Sequence, residues 1–242
     1  MRPRIAFVSQ FGQPGTYNPA MFTRTYGQDN EVLAIEALLE SIGVLDKIDF
    51  VGVHAHRGEP LKGRLDDADA VIIGGSFACV RDNYDWQRTI LEWLPEWRKT
   101  GRPLMGICGG HQLMSVSLGG VVDRNPSGVS VGSLPLDITE AGKKHYLFEG
   151  FDEKSLFLFA NGDRVEVAPP GSTVLATRPS LPHAAIDHGG DWVSVQFHPE
   201  MTCDRMAMCW LEENPAYAAL YTFVVGAERM IGNFLTGTGV LR

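Results

Sequence analysis

Four short apolar runs, each breaking off into turn residues, constrain this chain more than any other feature. They are Ile5-Ala6-Phe7-Val8, the stretch from Lys47 to His54, Ala70-Val71-Ile72-Ile73, and Pro103-Leu104-Met105-Gly106-Ile107. Runs this short read as strands, and the uniformly apolar Ile5 to Val8 fits one that is buried on both faces. Helical patterns lie between them. Val32, Leu33, Ile35, Ala37, Leu38 and Leu39 follow a cap at Asp29 or Asn30 and stop at Gly43. From about Tyr84 to Lys99, Trp86, Ile90, Trp93, Leu94 and Trp97 form a stripe that reads as core packing, with a kink or break expected at Pro95. Strand alternating with helix calls for a mainly parallel sheet covered on both faces, with functional groups gathered at the C-terminal strand ends.

Beyond Ser130 the texture changes. Val131 to Ile138, Ser155 to Phe159, Val174 to Thr177, Ala184 to Asp187 and Val193 to Phe197 read as strands without long helices between them, a mixed or antiparallel extension. A helical region from about Glu212 to Phe234, divided by Pro215, is expected to close a single α/β domain over residues 1–242. The stretch from Gln10 to about Gln28 is long for a strand-to-helix connection, so it is expected to be a lid or a poorly ordered excursion. The net charge of −8 disfavours nucleic acid as a partner. No apolar stretch approaches the ~18 residues of a spanning helix, and a cytoplasmic protein without membrane attachment is expected.

The fourth run leads into Gly106-Ile107-Cys108-Gly109-Gly110, followed by the helix-like His111-Gln112-Leu113-Met114-Ser115-Val116. Glycines around a reactive residue suit a tight strand-to-helix turn, a nucleophile elbow, which lifts the thiol above the sheet edge. The helix N-terminus behind it supplies free N–H groups and favours negative charge on the sulfur. The other cysteines, Cys79, Cys203 and Cys209, read as small apolar fillers.

A second element ends in chemistry. Trp192-Val193-Ser194-Val195-Gln196-Phe197 has a strand pattern that runs into His198-Pro199-Glu200. In an extended chain residues two apart project to one side, which suits a carboxylate orienting an imidazole, and Pro199 holds His198 extended. Cys108 would be the nucleophile, His198 its base, and Glu200 the group that fixes the tautomer and stabilises the imidazolium.

With these pieces together the chain resembles the class I glutamine amidotransferases. The matching residues are Gly106-Ile107-Cys108-Gly109-Gly110-His111-Gln112-Leu113, Gly119-Gly120, Gln196-Phe197-His198-Pro199-Glu200, and Ile72-Ile73-Gly74-Gly75-Ser76. The resemblance implies a flavodoxin-like αβα sandwich and hydrolysis of a γ-glutamyl amide, with glutamine or a γ-glutamyl compound as ligand. It further implies oxyanion donors at Gly75 and Gly109 and substrate contacts at Gly74, Gln112, Ser130, Val131, Gly132 and Ser133. Phe159-Ala160-Asn161-Gly162-Asp163 and the Trp-rich helix resemble the glutaminase domain of GMP synthase and its stand-alone relatives, although Asn161 stands where that family commonly has His. Gly109-Gly110 is small where relatives often carry a larger residue, so a widened pocket is expected.

No Ser-Gly-Gly-x-Asp-Ser loop of an ATP pyrophosphatase and no phosphate-binding glycine motif occurs in the sequence, and no cofactor is expected. Ammonia delivery to a separate synthetase, a self-sufficient γ-glutamyl peptide or amide hydrolase, and a non-catalytic binding protein are the three readings left open. Metal ligation is not expected: His54-Ala55-His56 is read as a surface loop end, and Asp66-Asp67-Ala68-Asp69 as a solvated turn. His111 is expected on the elbow helix, away from the sulfur.

Overall fold

The computed structural model describes residues 2–13 and 15–241. Its strands are β1 (Arg4–Ser9), β2 (Asp49–His54), β3 (Ala70–Ile73), β4 (Leu104–Ile107), β5 (Val121–Arg124), β6 (Ser130–Pro135), β7 (Asp137–Ile138), β8 (Leu156–Asn161), β9 (Asp163–Val167), β10 (Thr173–Arg178), β11 (Leu181–Asp187) and β12 (Trp192–Val195). Its helices are α1 (Ala20–Tyr26), α2 (Glu31–Ser41), α3 (Asp85–Lys99), α4 (Gly109–Ser117), α5 (Cys203–Trp210), α6 (Pro215–Ala218) and α7 (Arg229–Gly237).

Eight strands form the central sheet in the order β2-β1-β3-β4-β12-β11-β10-β7. The β2-β1-β3-β4-β12 part is parallel, and β11, β10 and β7 extend it antiparallel. Alternate side chains of each parallel strand enter opposite layers, as a period of two requires. Ile5, Phe7, Ile72, Met105 and Ile107 pack with Ile35 and Leu39 of α2 and Phe234 and Leu235 of α7. Ala6, Val8, Val71, Ile73 and Leu104 face Trp86, Ile90, Leu94 and Trp97 of α3 and Leu113 and Met114 of α4. This is the expected αβα sandwich, and it places β1, β3, β4 and β12 side by side with their C-terminal ends on one edge.

Several local expectations change. Helix α3 runs through Pro95 without a break, because Pro95 lies on the solvent side between buried Leu94 and Trp97. The segment after Gln10 is neither a bare loop nor a loose excursion. It contains α1, and its Phe11, Tyr17, Met21 and Phe22 are buried against Met206 and Cys209 of α5. Val131 to Ile138 is two strands in two sheets, since β6 pairs with β8 while β7 pairs with β10. A further two-stranded sheet, β5 with β9, joins them. The C-terminal helical region begins at Cys203 rather than Glu212 and is divided, as Pro215 requires. Among the described residues no helix is long and apolar enough to cross a membrane.

Candidate active site

Strand β4 ends at Ile107, and Cys108 turns the chain into α4 with φ 48° and ψ −101°. A non-glycine residue at positive φ is uncommon and marks a conformation that its surroundings enforce. Here the enforcement is visible. The Cys108 N–H donates to the Val195 carbonyl of β12 at 2.8 Å, and the Gly110 N–H donates to the Gly74 carbonyl at 3.2 Å. A Cβ on Gly106 would lie 2.4 Å from the Met114 sulfur, and one on Gly110 would lie 2.4 Å from the Ile73 carbonyl oxygen. These glycines therefore let α4 sit directly on the strand ends. Gly109 and Gly110 do not widen a pocket as expected: the added Cβ on Gly109 would meet Ser76, and both face the β3 side of the elbow.

The imidazole comes from the far side of β12. That strand stops at Val195, so His198, Pro199 and Glu200 occupy a turn instead of the extended segment that the sequence pattern predicts. The His198 N–H donates to the Leu158 carbonyl of β8 at 2.8 Å, which replaces the strand ladder and fixes the turn. The turn brings His198 Nδ1 to 2.7 Å from Glu200 Oε1, with Glu200 1% exposed. Burial alone depresses the His198 imidazole, but the Glu200 carboxylate and the Cys108 sulfur outweigh it and hold the group well above its ordinary value. A Cβ on Gly75 would lie 2.8 Å from His198 Cε1 and 3.6 Å from Cys108 Cβ, so Gly75 stands at the junction of the two.

Gln196 reaches the sulfur directly, with Gln112 behind it. Gln196 Nε2 donates to Cys108 Sγ at 3.6 Å, and Gln112 Nε2 donates to Gln196 Oε1 at 3.1 Å and to the Asp163 carbonyl at 3.2 Å. Gln196 was not anticipated, although its spacing of two from His198 is the signal that would have found it. Glu31, at the first turn of α2, is the other surprise. Its Oε2 accepts from Ser9 Oγ at 2.6 Å, while its buried Oε1 has no partner. Burial is the main force lifting its carboxyl to about 8, and the Glu200 charge adds to it. An acidic residue in a first helical turn reads as a dipole complement in sequence, which hid this role.

A cavity of about 260 Å³ opens over Cys108 and His198. Its polar lining includes Ser76, Gln112, Asn161 and Asp163, and its apolar lining includes Phe11, Met21, Met201, Met206 and Trp210. Asp163 Oδ1 is held by Arg81 at 2.9 Å, but buried Asp163 Oδ2 and Asn161 Oδ1 have no partner. Cys79 and Cys209 also line the cavity, and burial pushes their thiols up to about 11 and about 12. Of the residues expected at a substrate site, Gln112 is in the lining, and Gly74 lies behind it with its carbonyl accepting from Gln10 at 2.8 Å.

Ser130, Val131, Gly132 and Ser133 are not in the lining. They pair along β6 with β8, and Ser133 Oγ donates to the Thr222 carbonyl at 2.7 Å; Val129 reaches the cavity instead. His56 is buried, with its Nδ1 3.1 Å from the Ser9 carbonyl, rather than at a surface loop end. His111 lies on α4 as expected, 2.7 Å from Ser194 Oγ.

The family described as glutamine amidotransferase class-I matches residues 28–214 of this chain. The GMP synthase [glutamine-hydrolyzing] of Lactococcus lactis subsp. cremoris is 41% identical over 108 residues, which cover 44% of this chain and 20% of that protein. Its counterpart in Geobacillus kaustophilus is 32% identical over 150 residues, covering 62% of this chain and 28% of that one. The matched regions are thus a minor part of these relatives. Among solved structures, a glutamine amidotransferase of Thermotoga maritima superposes with a TM-score of 0.68 at 18% identity, covering 99% of this chain and 95% of that one. One from Methylobacillus flagellatus gives 0.70 at 16%, covering 98% and 95%. PurLQS of Thermotoga maritima gives 0.61 at 18%, covering 98% and 99%. The elbow, the buried His-Glu pair and the family match over most of the length agree: the chain belongs to the class I glutamine amidotransferases.

Proposed function

We propose that this chain hydrolyses the side-chain amide of glutamine through a thioester on Cys108, and that the ammonia passes to a separate synthetase. The observation that carries this is the buried imidazole of His198, bonded to Glu200 at 2.7 Å and facing Cys108 over a cavity. His198 takes the thiol proton, and Glu200 stabilises the imidazolium by charge and hydrogen bond. Sulfur then attacks the amide carbon, and negative charge develops on the former carbonyl oxygen.

The N–H groups of Gly75 and Gly109 are the donors that this reading assigns to that charge. Gly109 opens α4, where first-turn N–H groups have no acceptor within the helix, and Gly75 adjoins both Cys108 and His198. Removing one such donor costs about 3 kcal/mol of transition-state stabilisation. The imidazolium next protonates the leaving nitrogen as the C–N bond breaks, giving a γ-glutamyl thioester and ammonia. Water attacks the thioester through a second oxyanion and releases glutamate. Partnerless Asn161 Oδ1 and Asp163 Oδ2 are acceptors suited to the α-ammonium of the glutamyl group.

Delivery to a synthetase is supported by the relatives, which are named both as synthases and as glutamine-hydrolysing. A glutamine-analogue electrophile tests the nucleophile. It is expected to modify Cys108 alone, because burial raises the thiols of Cys79, Cys203 and Cys209 and none of these three adjoins the His198 imidazole. An unmodified Cys108 in the folded protein sinks the hydrolase. Glutamine turnover that does not respond to any candidate synthetase removes the delivery step and leaves the hydrolase standing.

A further inference from the structure

The leaving group decides what else this cavity admits. A primary amide leaves as ammonia, which needs no apolar surface around it. Yet the cavity that holds Cys108 and His198 carries Phe11, Met21, Met201, Met206 and Trp210 in its wall. Their positions follow from the chain path. Met201 lies three residues beyond His198 in the same turn, Met206 and Trp210 belong to the helix that the turn feeds, and Phe11 and Met21 pack on that helix. A general acid must come within about 3 Å of the nitrogen it protonates. Whatever that nitrogen carries therefore lies on the His198 side, where the turn and α5 supply methionine and tryptophan. The acceptors without partners, Asn161 Oδ1 and Asp163 Oδ2, belong to the β8–β9 turn instead, beside Gln112.

Polar groups that suit a glutamyl head and an apolar wall beside the general acid thus occupy different segments. Methionines fit this second role, since they are flexible, polarisable and adapt to varied apolar shapes. No Lys or Arg belongs to the lining, so a leaving amine that bears a carboxylate would find no cation there among the described residues.

We propose that this cavity takes γ-glutamyl amides whose nitrogen bears an apolar alkyl or aryl substituent, which the Met201–Trp210 wall receives. The proposal rests on the thioester chemistry given above and extends it to the group that departs. The balance is the same as for glutamine. The Cys108 sulfur forms the C–S bond, the C–N bond breaks, and the proton held by His198 goes to the leaving nitrogen, which departs as a free apolar amine. Water then cleaves the C–S bond, leaving glutamate and returning a proton to the Cys108–His198 pair. No oxidant, reductant or further reactant enters.

The test is a series of donors that differ only at nitrogen: glutamine, γ-glutamyl-methylamide, γ-glutamyl-isobutylamide and γ-glutamyl-β-alanine. Amine release and acylation of Cys108, by mass of the intact protein, are read for each. The isobutylamide is expected to exceed glutamine in kcat/KM at least tenfold, the scale of a few methylenes in an apolar pocket, with γ-glutamyl-β-alanine well below it. Met201→Gln and Trp210→Gln are each expected to cut the isobutylamide-to-glutamine ratio about tenfold. A ratio that falls with substituent size while glutamine still acylates Cys108 overturns the proposal and leaves the hydrolase intact. A ratio indifferent to both variants also overturns it. If no donor, glutamine included, acylates Cys108, the hydrolase fails and the proposal fails with it.

Discussion

Cys108 owes its position to residues that contribute no side chain. Gly106 and Gly110 let α4 rest on β4 and β3, and Gly75 leaves room for the imidazole. Gly75→Ala tests the last of these. The new methyl carbon would sit 2.8 Å from His198 Cε1, inside normal contact distance, and the ring must move to admit it. A shift of about 1 Å in a reacting group costs on the order of 100-fold in rate. The variant is expected to lose about that factor in kcat for glutamine hydrolysis while its thermal midpoint stays close to that of the parent. A kcat within threefold of the parent would show that the ring is not held by this contact. The elbow is legible in sequence because glycine spacing is a local signal; the turn at His198-Pro199-Glu200 is not, since the strand pattern before it reads on as extended chain. Nor is Glu31, because its burial beneath Gly74 and against Ser9 arises only when β1, β3 and α2 meet.

Elements differ in how openly they are written. Strands β1, β3 and β4 are legible because burial on both faces makes them continuous apolar runs, whereas the edge strand β2 is only partly buried and carries Asp49 and His54. Strands β5 and β9 escaped notice: they form a two-stranded, half-exposed sheet whose Val121 and Val167 are 49% and 51% exposed, so no apolar alternation marks them. Helix α1 has only seven residues, and its start signal, Asn18-Pro19 with Asn18 Oδ1 accepting from the Ala20 N–H at 2.9 Å, is lost among the glycines and prolines of the segment around it. Helix α5 carries one too, since Thr202 accepts from the Arg205 N–H at 3.4 Å, but the preceding His-Pro-Glu turn drew the chain pattern to itself. Together α1 and α5 form the wall of the cavity, so the substrate-facing elements are the least legible ones. Phe22, 1% exposed on α1, holds them in place, with its ring 4.9 Å from that of Phe11. Phe22→Ala removes a large buried ring and is expected to cost about 3 kcal/mol or more, read by urea unfolding. Loss below about 1 kcal/mol would mean that α1 is not anchored through this residue.

Buried titratable groups spread over the molecule set its response to acid. His111 Nδ1 and His188 Nε2 each lie 2.7 Å from the Ser194 hydroxyl oxygen. Burial pushes both down to about 3, and the Arg98 charge adds to it at His188, so the folded protein keeps them neutral. Unfolded, they bind protons below about 6.5. The unfolded state therefore gains protons as pH falls from 6.5 towards 3, and stability drops over that window. By pH 5 the loss relative to pH 7 is about 2 kcal/mol for each histidine.

Glu31 acts in the opposite sense. Its folded value near 8 lies above the unfolded 4.5, so the folded state holds the extra proton between those limits. Its contribution is fully present below 4.5 and is lost as pH rises through 8, which means that acidification from pH 7 to pH 5 stabilises the fold through this group. The expected gain is on the order of 2 to 3 kcal/mol, which offsets much of the histidine loss. Glu31→Gln keeps the size and the Ser9 contact but cannot titrate. The variant is therefore expected to lose on the order of 2 to 3 kcal/mol more than the parent between pH 7 and pH 5, and to be the more stable of the two at pH 8. Urea unfolding of both proteins at pH 5, 7 and 8 checks this, because the histidine contributions and the other carboxylates cancel in the difference. Parallel pH profiles would show that the Glu31 carboxyl is already ionised in the folded protein, and the coupling of α2 to Glu200 across the sheet edge would have to be abandoned.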